Sequence, residues 1–101
     1  MATTTKVLFR GAATTTTSTT LYTVPALTTA VVTNIAANNT SASAATFTIS
    51  LGGVELQSAT SVPANTTAYI DLKQVLNPAD TIQGGASVSD ITFHISGVEI
   101  A

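Results

Sequence analysis

The sequence predicts an all-β protein, a single-domain β-sandwich or jelly roll of about eight short strands. Runs rich in β-branched and aromatic residues recur along the 101-residue chain, and Gly, Pro, Asn and Ser separate them at near-regular spacing. No segment has the apolar period of a long helix. A strand–corner–strand unit also occurs twice, at 24–32 and 62–70, each copy reading V-P-A-x-T-T-A. Two copies of one corner indicate two similar β layers that face each other.

The order of the strands follows from the turn signals between them. Proline fixes φ and lacks a ladder donor, so Pro25 and Pro63 each end a strand at a corner. Gly52–Gly53 predicts a two-residue hairpin turn, because glycine readily adopts positive φ. Residues 12–20 are rich in Thr and Ser and predict a surface loop or an irregular edge strand. The predicted strands are 6–10, 21–24, 28–38, 45–51, 54–56 with an extension to Pro63, 66–72, 81–83, and 91–95 with a continuation to Ile100.

Alternation of apolar and polar residues predicts which side chains point into the sandwich. The alternation is regular in three strands, whose inward residues are Phe47, Ile49 and Leu51, then Ala68, Ile70 and Leu72, then Ile91, Phe93 and Ile95. Val7 and Phe9 are expected to share one face of the first strand. Gly97 is expected to break the phase of the last strand, so that Val98 and Ile100 continue inward.

Two further segments have less regular patterns. In the strand 28–38, Val31 and Ile35 share one face and Val32 and Ala36 the other, as expected of a strand covered on both sides, with a neighbouring subunit as the candidate cover. The segment 73–76 is the only one to which we assign a helical turn. A β-turn is expected at 77–80, because proline suits its second position.

Charge is scarce in this chain. Charged residues make up 8% of it, against about 25% in typical globular domains, and threonine fills about a fifth of the chain. Charge normally keeps exposed edges and patches from associating, so we expect much of the surface to meet protein. Lys6, Arg10 and Lys73 are the only cations, too few for the basic stripe that nucleic-acid binding requires.

Targeting signals are also missing from the sequence. The start of the chain lacks the basic and apolar regions of a signal peptide, and no apolar run approaches the length of a membrane span. We therefore expect a protein made in a cytoplasm, with no membrane partner. The absence of cysteine excludes disulfides.

Catalytic and metal-binding patterns are weak. His94 is the single histidine, it falls in mid-strand, and no G-x-S-x-G nucleophile motif occurs. No calcium-loop motif occurs either, and we expect no enzyme activity, metal or cofactor. Tyr22 and Tyr69, one beside each corner repeat, are the only tyrosines available as aromatic platforms for a sugar. The five acidic residues are Glu55, Asp71, Asp80, Asp90 and Glu99.

Several runs resemble one family of proteins. They are 21–26 (LYTVPA), 28–35 (TTAVVTNI), 62–67 (VPANTT), 70–76 (IDLKQVL) and 94–98 (HISGV). These runs are similar to small virion structural proteins of tailed bacteriophages, of the head decoration, head fibre or minor tail type, and the similarity spans the chain from Lys6. Leu27 stands where that family usually has Gly, and Pro78–Ala79 precedes Asp80 where Ala-Gly is commoner.

The resemblance implies a non-enzymatic structural protein found in the virion and made in the host bacterial cytoplasm. Our first expectation is a capsid decoration (cement) protein that oligomerises, with a trimer as the first guess, and binds the outer surface of the major capsid protein lattice. Residues 1–10 are then an N-terminal arm and first strand that attaches the protein, and 11–101 form the sandwich domain. The residues expected at the capsid or another virion protein are Thr3, Thr5, Lys6, Leu8, Arg10, Thr15 and Thr17.

An alternative function is a tail-tip or fibre module that recognises a host-surface glycan. Its ligand face is expected to cluster at one exposed end of the sandwich. That face would consist of Tyr22, Asn38, Asn39 and Tyr69.

Overall fold

Eight antiparallel strands form two four-stranded sheets in the computed structural model, which describes residues 2–101. The first sheet has the order β1-β8-β3-β6 and the second sheet the order β2-β7-β4-β5. This order winds the eight strands as the two Greek keys of a jelly roll, so the predicted fold class is confirmed. The strands are β1 (Thr3–Ala12), β2 (Thr20–Thr23), β3 (Thr29–Asn39), β4 (Ala45–Leu51), β5 (Val54–Val62), β6 (Thr66–Leu76), β7 (Thr81–Ala86) and β8 (Ile91–Ile100).

The core lies between the two sheets. Phe47 from β4 and Phe93 from β8 meet edge to face at its centre, with ring centroids 5.9 Å apart. The regular alternations predicted these residues correctly: Phe47, Ile49, Ile91, Phe93 and Ile95 are fully buried, and Leu51, Ala68, Ile70 and Leu72 pack against them.

The two repeated corners have the same structure. Each carries the chain from the second sheet to the first, from β2 to β3 and from β5 to β6. The fourth residue of each corner is left-handed, with φ of 58° at Leu27 and 53° at Asn65. In each, the following threonine hydroxyl donates to the carbonyl two residues earlier, at 3.2 Å from Thr28 and 3.0 Å from Thr66. The sequence repeat is therefore a structural repeat that joins the two layers.

Bulges in the first sheet overturn two of the predicted face assignments. The ladder between β1 and β8 shifts at Leu8, so Val7 and Phe9 do not share a face. Phe9 pairs with Ile95 and packs against the core, Leu8 points inward and is 6% exposed, and Val7 lies outside and is 46% exposed. The ladders of β3 shift between Val32 and Asn34, which turns both Val32 and Ile35 into the core. A bulge adds one residue to a strand and so reverses the inside–outside phase beyond it.

The last strand does not change phase at Gly97. Gly97 is buried on the inward face, and a Cβ atom there would collide with the carbonyl oxygen of Val31 and lie 2.9 Å from Cδ1 of Leu8. The inward Leu8 thus fills the space that Gly97 leaves. The alternation continues through this position, so Glu99 points inward and Val98 and Ile100 point outward, opposite to the prediction.

The segment 73–76, predicted to form a helical turn, is the end of β6. It pairs with Ala30, Val31 and Val32 of β3, and this ladder overrides the local preference. The predicted turns are confirmed. Gly52 and Gly53 both have positive φ, and the 77–80 turn is closed by a hydrogen bond from the Asp80 amide to the Asn77 carbonyl.

Candidate interaction surface

The candidate site is the outer face of the first sheet, the side that points away from the second sheet. Paired residues of neighbouring antiparallel strands share a face, so this surface consists of rows that cross β1, β8, β3 and β6 in that order. Three rows carry the argument. They are the tyrosine row (Arg10, His94, Ala36, Tyr69), the middle row (Val7, Ser96, Asn34, Asp71) and the valine row (Thr5, Val98, Val31, Val75).

The valine row is an uncharged apolar band. Val75 on β6 is 62% exposed, and Val31 and Val98 are partly exposed. Val7, in the next row, is 46% exposed and extends the band towards β1. Isolated exposed valines need no explanation, but a row of them across a sheet forms a surface that a partner protein can cover.

The tyrosine row has a cationic side chain at one end, an aromatic side chain at the other and a small side chain near its centre. Tyr69 on β6 is 73% exposed, and Arg10 on β1 is also exposed. With strands about 4.8 Å apart, about 14 Å separates these two edge positions. Between them, the partly exposed His94 stands beside Ala36, the smallest side chain of the row, which is 7% exposed.

The middle row contains an acidic residue, Asp71, and lies beside two shallow depressions of the outer face. The Asn34 amide donates to Asp71 Oδ1 at 3.3 Å, which holds the carboxylate against the outer face. A shallow depression of about 450 Å³ lies next to it, lined by Thr33, Asp71, Leu72 and Lys73. Another, of about 430 Å³, is lined by Thr5, Lys6, Val7, Thr33, Ser96, Gly97 and Val98. Thr33, the extra residue of the β3 bulge, lines both depressions, so the bulge shapes this face.

The outer face of the second sheet is different in character. Thr46, Thr48 and Ser50 alternate with the buried side chains of β4 and point outward. Part of this sheet is also covered by the chain itself. The carbonyl oxygens of Thr14 and Thr19 accept hydrogen bonds of 2.9 Å from amides of β7, so the predicted surface loop lies along that strand. The outer face of β4 is therefore polar, and the exposed apolar side chains of the second sheet are Val54 and Leu56 on β5.

The predicted attachment segment is an integral strand. Residues 3–12 pair with β8 along their length, so residues 3–10 belong to the sandwich and are not a free arm, and the predicted boundary at residue 10 falls inside β1. Leu8 is in the core and Lys6 forms an ion pair with Glu99 at 3.3 Å. Met1 lies outside the described residues. The predicted contact residues that are exposed are Thr3, Thr5, Lys6, Arg10, Thr15 and Thr17.

The predicted glycan-binding residues do not come together. Tyr22 lies on β2 near the Gly52–Gly53 hairpin, whereas Asn38 and Asn39 lie at the opposite end of the sandwich. Asn39 is fully buried, and its amide donates to the carbonyl oxygens of Val62 at 3.0 Å and Ser43 at 2.9 Å. Asn39 is therefore a structural residue, and the predicted cluster at one exposed end is wrong. Tyr69 is exposed on the outer face of the first sheet.

Tyr22 takes part in a polar cluster that joins the sheets. Its hydroxyl donates a short hydrogen bond to Glu99 Oε2 on β8, and Lys6 on β1 pairs with the same carboxylate. The Tyr22 hydrogen bond, followed by Lys6, lowers the pKa of Glu99 against the opposing effect of desolvation. Burial, followed by Glu99, raises the pKa of Tyr22 well above its ordinary value. The cluster is suited to hold the sandwich closed at this end.

The sequence predicts cover on both faces of the strand that carries Val31, but it does not place Val98 and Val75 on the same outer surface. Val98 was assigned to the core because Gly97 was expected to break the phase, and Val75 was assigned to a helical turn. The useful signal was the uninterrupted alternation of Phe93, Ile95 and Gly97, in which glycine stands at an inward position. A glycine on the inward face indicates a close neighbour rather than a change of phase.

The described residues contain no cluster of three or more His, Cys, Asp or Glu side chains that could hold a metal ion. His94 lies on the outer face, between Arg10 and Ala36 in the tyrosine row. Within residues 2–101, no helix is long and apolar enough to cross a membrane.

Comparison with known proteins adds no assignment. No protein-family model matches the chain, and no curated protein matches it.

Proposed function

We propose that this chain is a non-enzymatic structural protein of a tailed-bacteriophage virion, and specifically a capsid decoration protein that binds the outer surface of the major capsid protein lattice. The observation that carries the proposal is the number of large apolar side chains left outside a charge-poor sandwich. Leu27 is 92% exposed, Tyr69 73%, Val54 70% and Val75 62%. These side chains lie on both sheets and at a corner, as suits a protein that is covered by neighbours from more than one direction.

The fold and the sequence resemblance support the same proposal. Jelly rolls recur in viral capsid and lectin domains, although fold analogy alone does not assign a function. The resemblance to small virion proteins adds the context of the phage particle. Two of the family-like runs contain the V-P-A corners, which are structural elements of the sandwich, so the resemblance includes residues that form the fold.

The proposed mechanism is mass action. A protein that binds the assembled lattice and not its dissociated subunits stabilises the assembled state in proportion to its occupancy. Several weak attachment points on one oligomer then raise the apparent affinity. No chemical step is required of the chain, and its rigid β-sandwich presents the contacts without a large ordering cost.

Thr15 and Thr17 are the proposed lattice contacts. Both are exposed on a loop whose backbone is fixed against β7, so their side chains project from the side of the second sheet. Thr17→Glu is expected to lower occupancy on purified capsids about tenfold, because a carboxylate in place of a hydroxyl must be desolvated in the contact. Gln74→Glu, at an exposed position of β6 in the first sheet, is the control and should bind as the unchanged protein does. Equal binding of the two variants would show that the loop is not part of the lattice contact.

The decisive experiment is the copy number per particle, measured by quantitative mass spectrometry of purified virions. A decoration protein is present in hundreds of copies that scale with the capsid lattice. A handful of copies would contradict the proposal and favour a tail component, for which cell-surface glycans are the ligands to test. Absence from the particle would contradict both.

A further inference from the structure

We infer that a second copy of this chain docks on the outer face of the first sheet, face to face, about a two-fold axis parallel to the strands. The resulting dimer is a stack of four sheets with the two outer faces at its centre. This docking goes beyond the proposed function, since it concerns the isolated chain and does not require a virion.

The symmetry fixes which residues meet. A two-fold axis that runs along the strands in the plane of the contact reverses the strand order and leaves the height of each row unchanged. The first sheet has the order β1-β8-β3-β6, so β1 faces β6 of the second copy and β8 faces β3. Each row therefore meets the same row of the second copy in reverse order.

The tyrosine row is complementary to itself under this operation. Arg10 comes opposite Tyr69 of the second copy, where a guanidinium over an aromatic ring is favourable. His94 comes opposite Ala36, so the largest side chain near the centre of the row meets the smallest. Both contacts occur twice, once in each direction.

The valine row supplies an apolar centre. Val98 comes opposite Val31 of the second copy, and Thr5 comes opposite Val75. Packed sheets lie about 10 Å apart, a distance that opposed valine side chains span with little empty space. The exposed part of Val75 is therefore covered in the dimer.

Charge complementarity favours this axis over the other in-plane axis. The three rows contain one cation, Arg10, and one anion, Asp71, on opposite edge strands and in adjacent rows, and Lys73 lines the depression beside Asp71 at the β6 edge. Reversal of the strand order brings Arg10 of each copy close to Asp71 of the other copy. An axis across the strands would instead set Arg10 opposite Thr5 and bury its charge without a partner.

The area is sufficient for a specific contact. Four strands with about ten residues each present roughly 600 Å² on one face, or about 1,200 Å² in total when two copies meet. This is at the lower limit for stable protein–protein interfaces, so we expect a reversible dimer.

The first test compares two valine substitutions by sedimentation equilibrium of the isolated full chain. Val75→Lys places a charge in the contact and is expected to lower the dimer association constant by about tenfold or more. Val54 is the matched control, because it is similarly exposed, at 70%, but lies on the second sheet. Val54→Lys should leave the association constant within about twofold of the unchanged chain. A chain that remains monomeric from about 1 µM to about 1 mM, or equal effects of the two substitutions, would overturn the dimer.

The second test uses the absence of cysteine from the chain. Positions 10 and 69 are about 14 Å apart in one molecule, whereas in the dimer they oppose each other across sheets that lie about 10 Å apart, with their side chains pointing towards each other. This spacing is too wide for a disulfide, so the test uses a short bis-maleimide that links two facing thiols. Arg10→Cys/Tyr69→Cys treated with this bis-maleimide is therefore expected to give covalent dimers, whereas either single variant stays a monomer on a denaturing gel. Absence of the cross-link, or covalent trimers and longer ladders, would overturn the two-fold docking in favour of no contact or of head-to-tail pairing of β1 with β6. Both tests use isolated protein, so their failure leaves the copy number per virion as an independent test of the proposed function.

Discussion

At the scale of single residues, the two corners carry different side chains at one backbone position with positive φ. Leu27 and Asn65 occupy the same left-handed position of the same corner. Asparagine tolerates positive φ, whereas a leucine Cβ crowds the following carbonyl there. The side chain of Leu27 is 92% exposed, so no packing inside the chain compensates for this strain. A partner that covers Leu27 is a physical reason to have leucine at that position.

Leu27→Gly is expected to stabilise the isolated protein by about 1 kcal/mol. Relief of a left-handed leucine is worth about 1–2 kcal/mol, and the greater freedom of glycine in the unfolded chain removes part of that gain. The free energy of unfolding in urea measures the effect. Leu27→Asn, which copies the second corner, should give a smaller gain in the same direction. Destabilisation by both substitutions would mean that the Leu27 side chain contributes to the fold.

At the scale of elements, β1 shows how a bulge changes the role of a strand. The segment has few apolar residues and lies at the edge of the first sheet, features that are also expected of a free arm. The extra residue at Leu8 turns one side chain inward, over Gly97, and so fixes β1 to the core. Removal of residues 1–10 would therefore expose β8 and empty this part of the core.

Leu8→Ala is expected to destabilise the protein by about 2–5 kcal/mol, because it removes a buried side chain and leaves a cavity beside Gly97. Val7→Ala should cost less than about 0.5 kcal/mol, because Val7 is half exposed on the outer face. Chemical denaturation of the two variants measures this contrast. Similar small losses for both would mean that β1 is only loosely attached.

At the scale of the whole molecule, polar groups fasten the sandwich at its two ends. Asn39 binds backbone carbonyls at the end that holds the second corner. At the other end, Tyr22 of the second sheet and Lys6 of the first meet the inward carboxylate of Glu99. A partly buried carboxylate of this kind stabilises the fold only while it is ionised and hydrogen-bonded.

The Tyr22–Glu99 contact predicts that the folded protein loses stability at both acidic and alkaline pH. The pKa of Glu99 is lowered in the folded protein, so its contribution is present above the ordinary glutamate pKa of about 4.3 and is lost as the pH falls through the lowered value. The pKa of Tyr22 is raised, so its contribution is present below pH 10 and is lost as the pH rises further. The melting temperature is therefore expected to be highest between about pH 5 and pH 9.

Tyr22→Phe should flatten both sides of this profile. Glu55→Gln, at an exposed position of β5, should leave the acid side unchanged and serves as the control. Identical acid profiles for the unchanged chain and Tyr22→Phe would show that the contact does not stabilise the fold.

Local pattern was sufficient for the strands whose alternation is regular. The inward residues of β4 and β8 up to Ile95 were predicted correctly, because one face of each strand must be apolar to be buried. The corners were predicted as well, since proline and the x-T-T pattern limit the backbone locally. Local pattern was not sufficient for the predicted contact and ligand residues. Leu8 and Asn39 are buried, and Tyr22 and Tyr69 lie on different sheets.

The sequence by itself determined that this chain is an all-β sandwich with two equivalent corners and little surface charge. Only the tertiary structure decided which side of β1, β3 and the end of β8 meets solvent. The physical reason is that a bulge depends on how three neighbouring strands fit around Ser96 and Gly97, and no single strand carries that information. The phase beyond the bulges places the valine row outside, and with it the surface that we assign to a second copy of the chain.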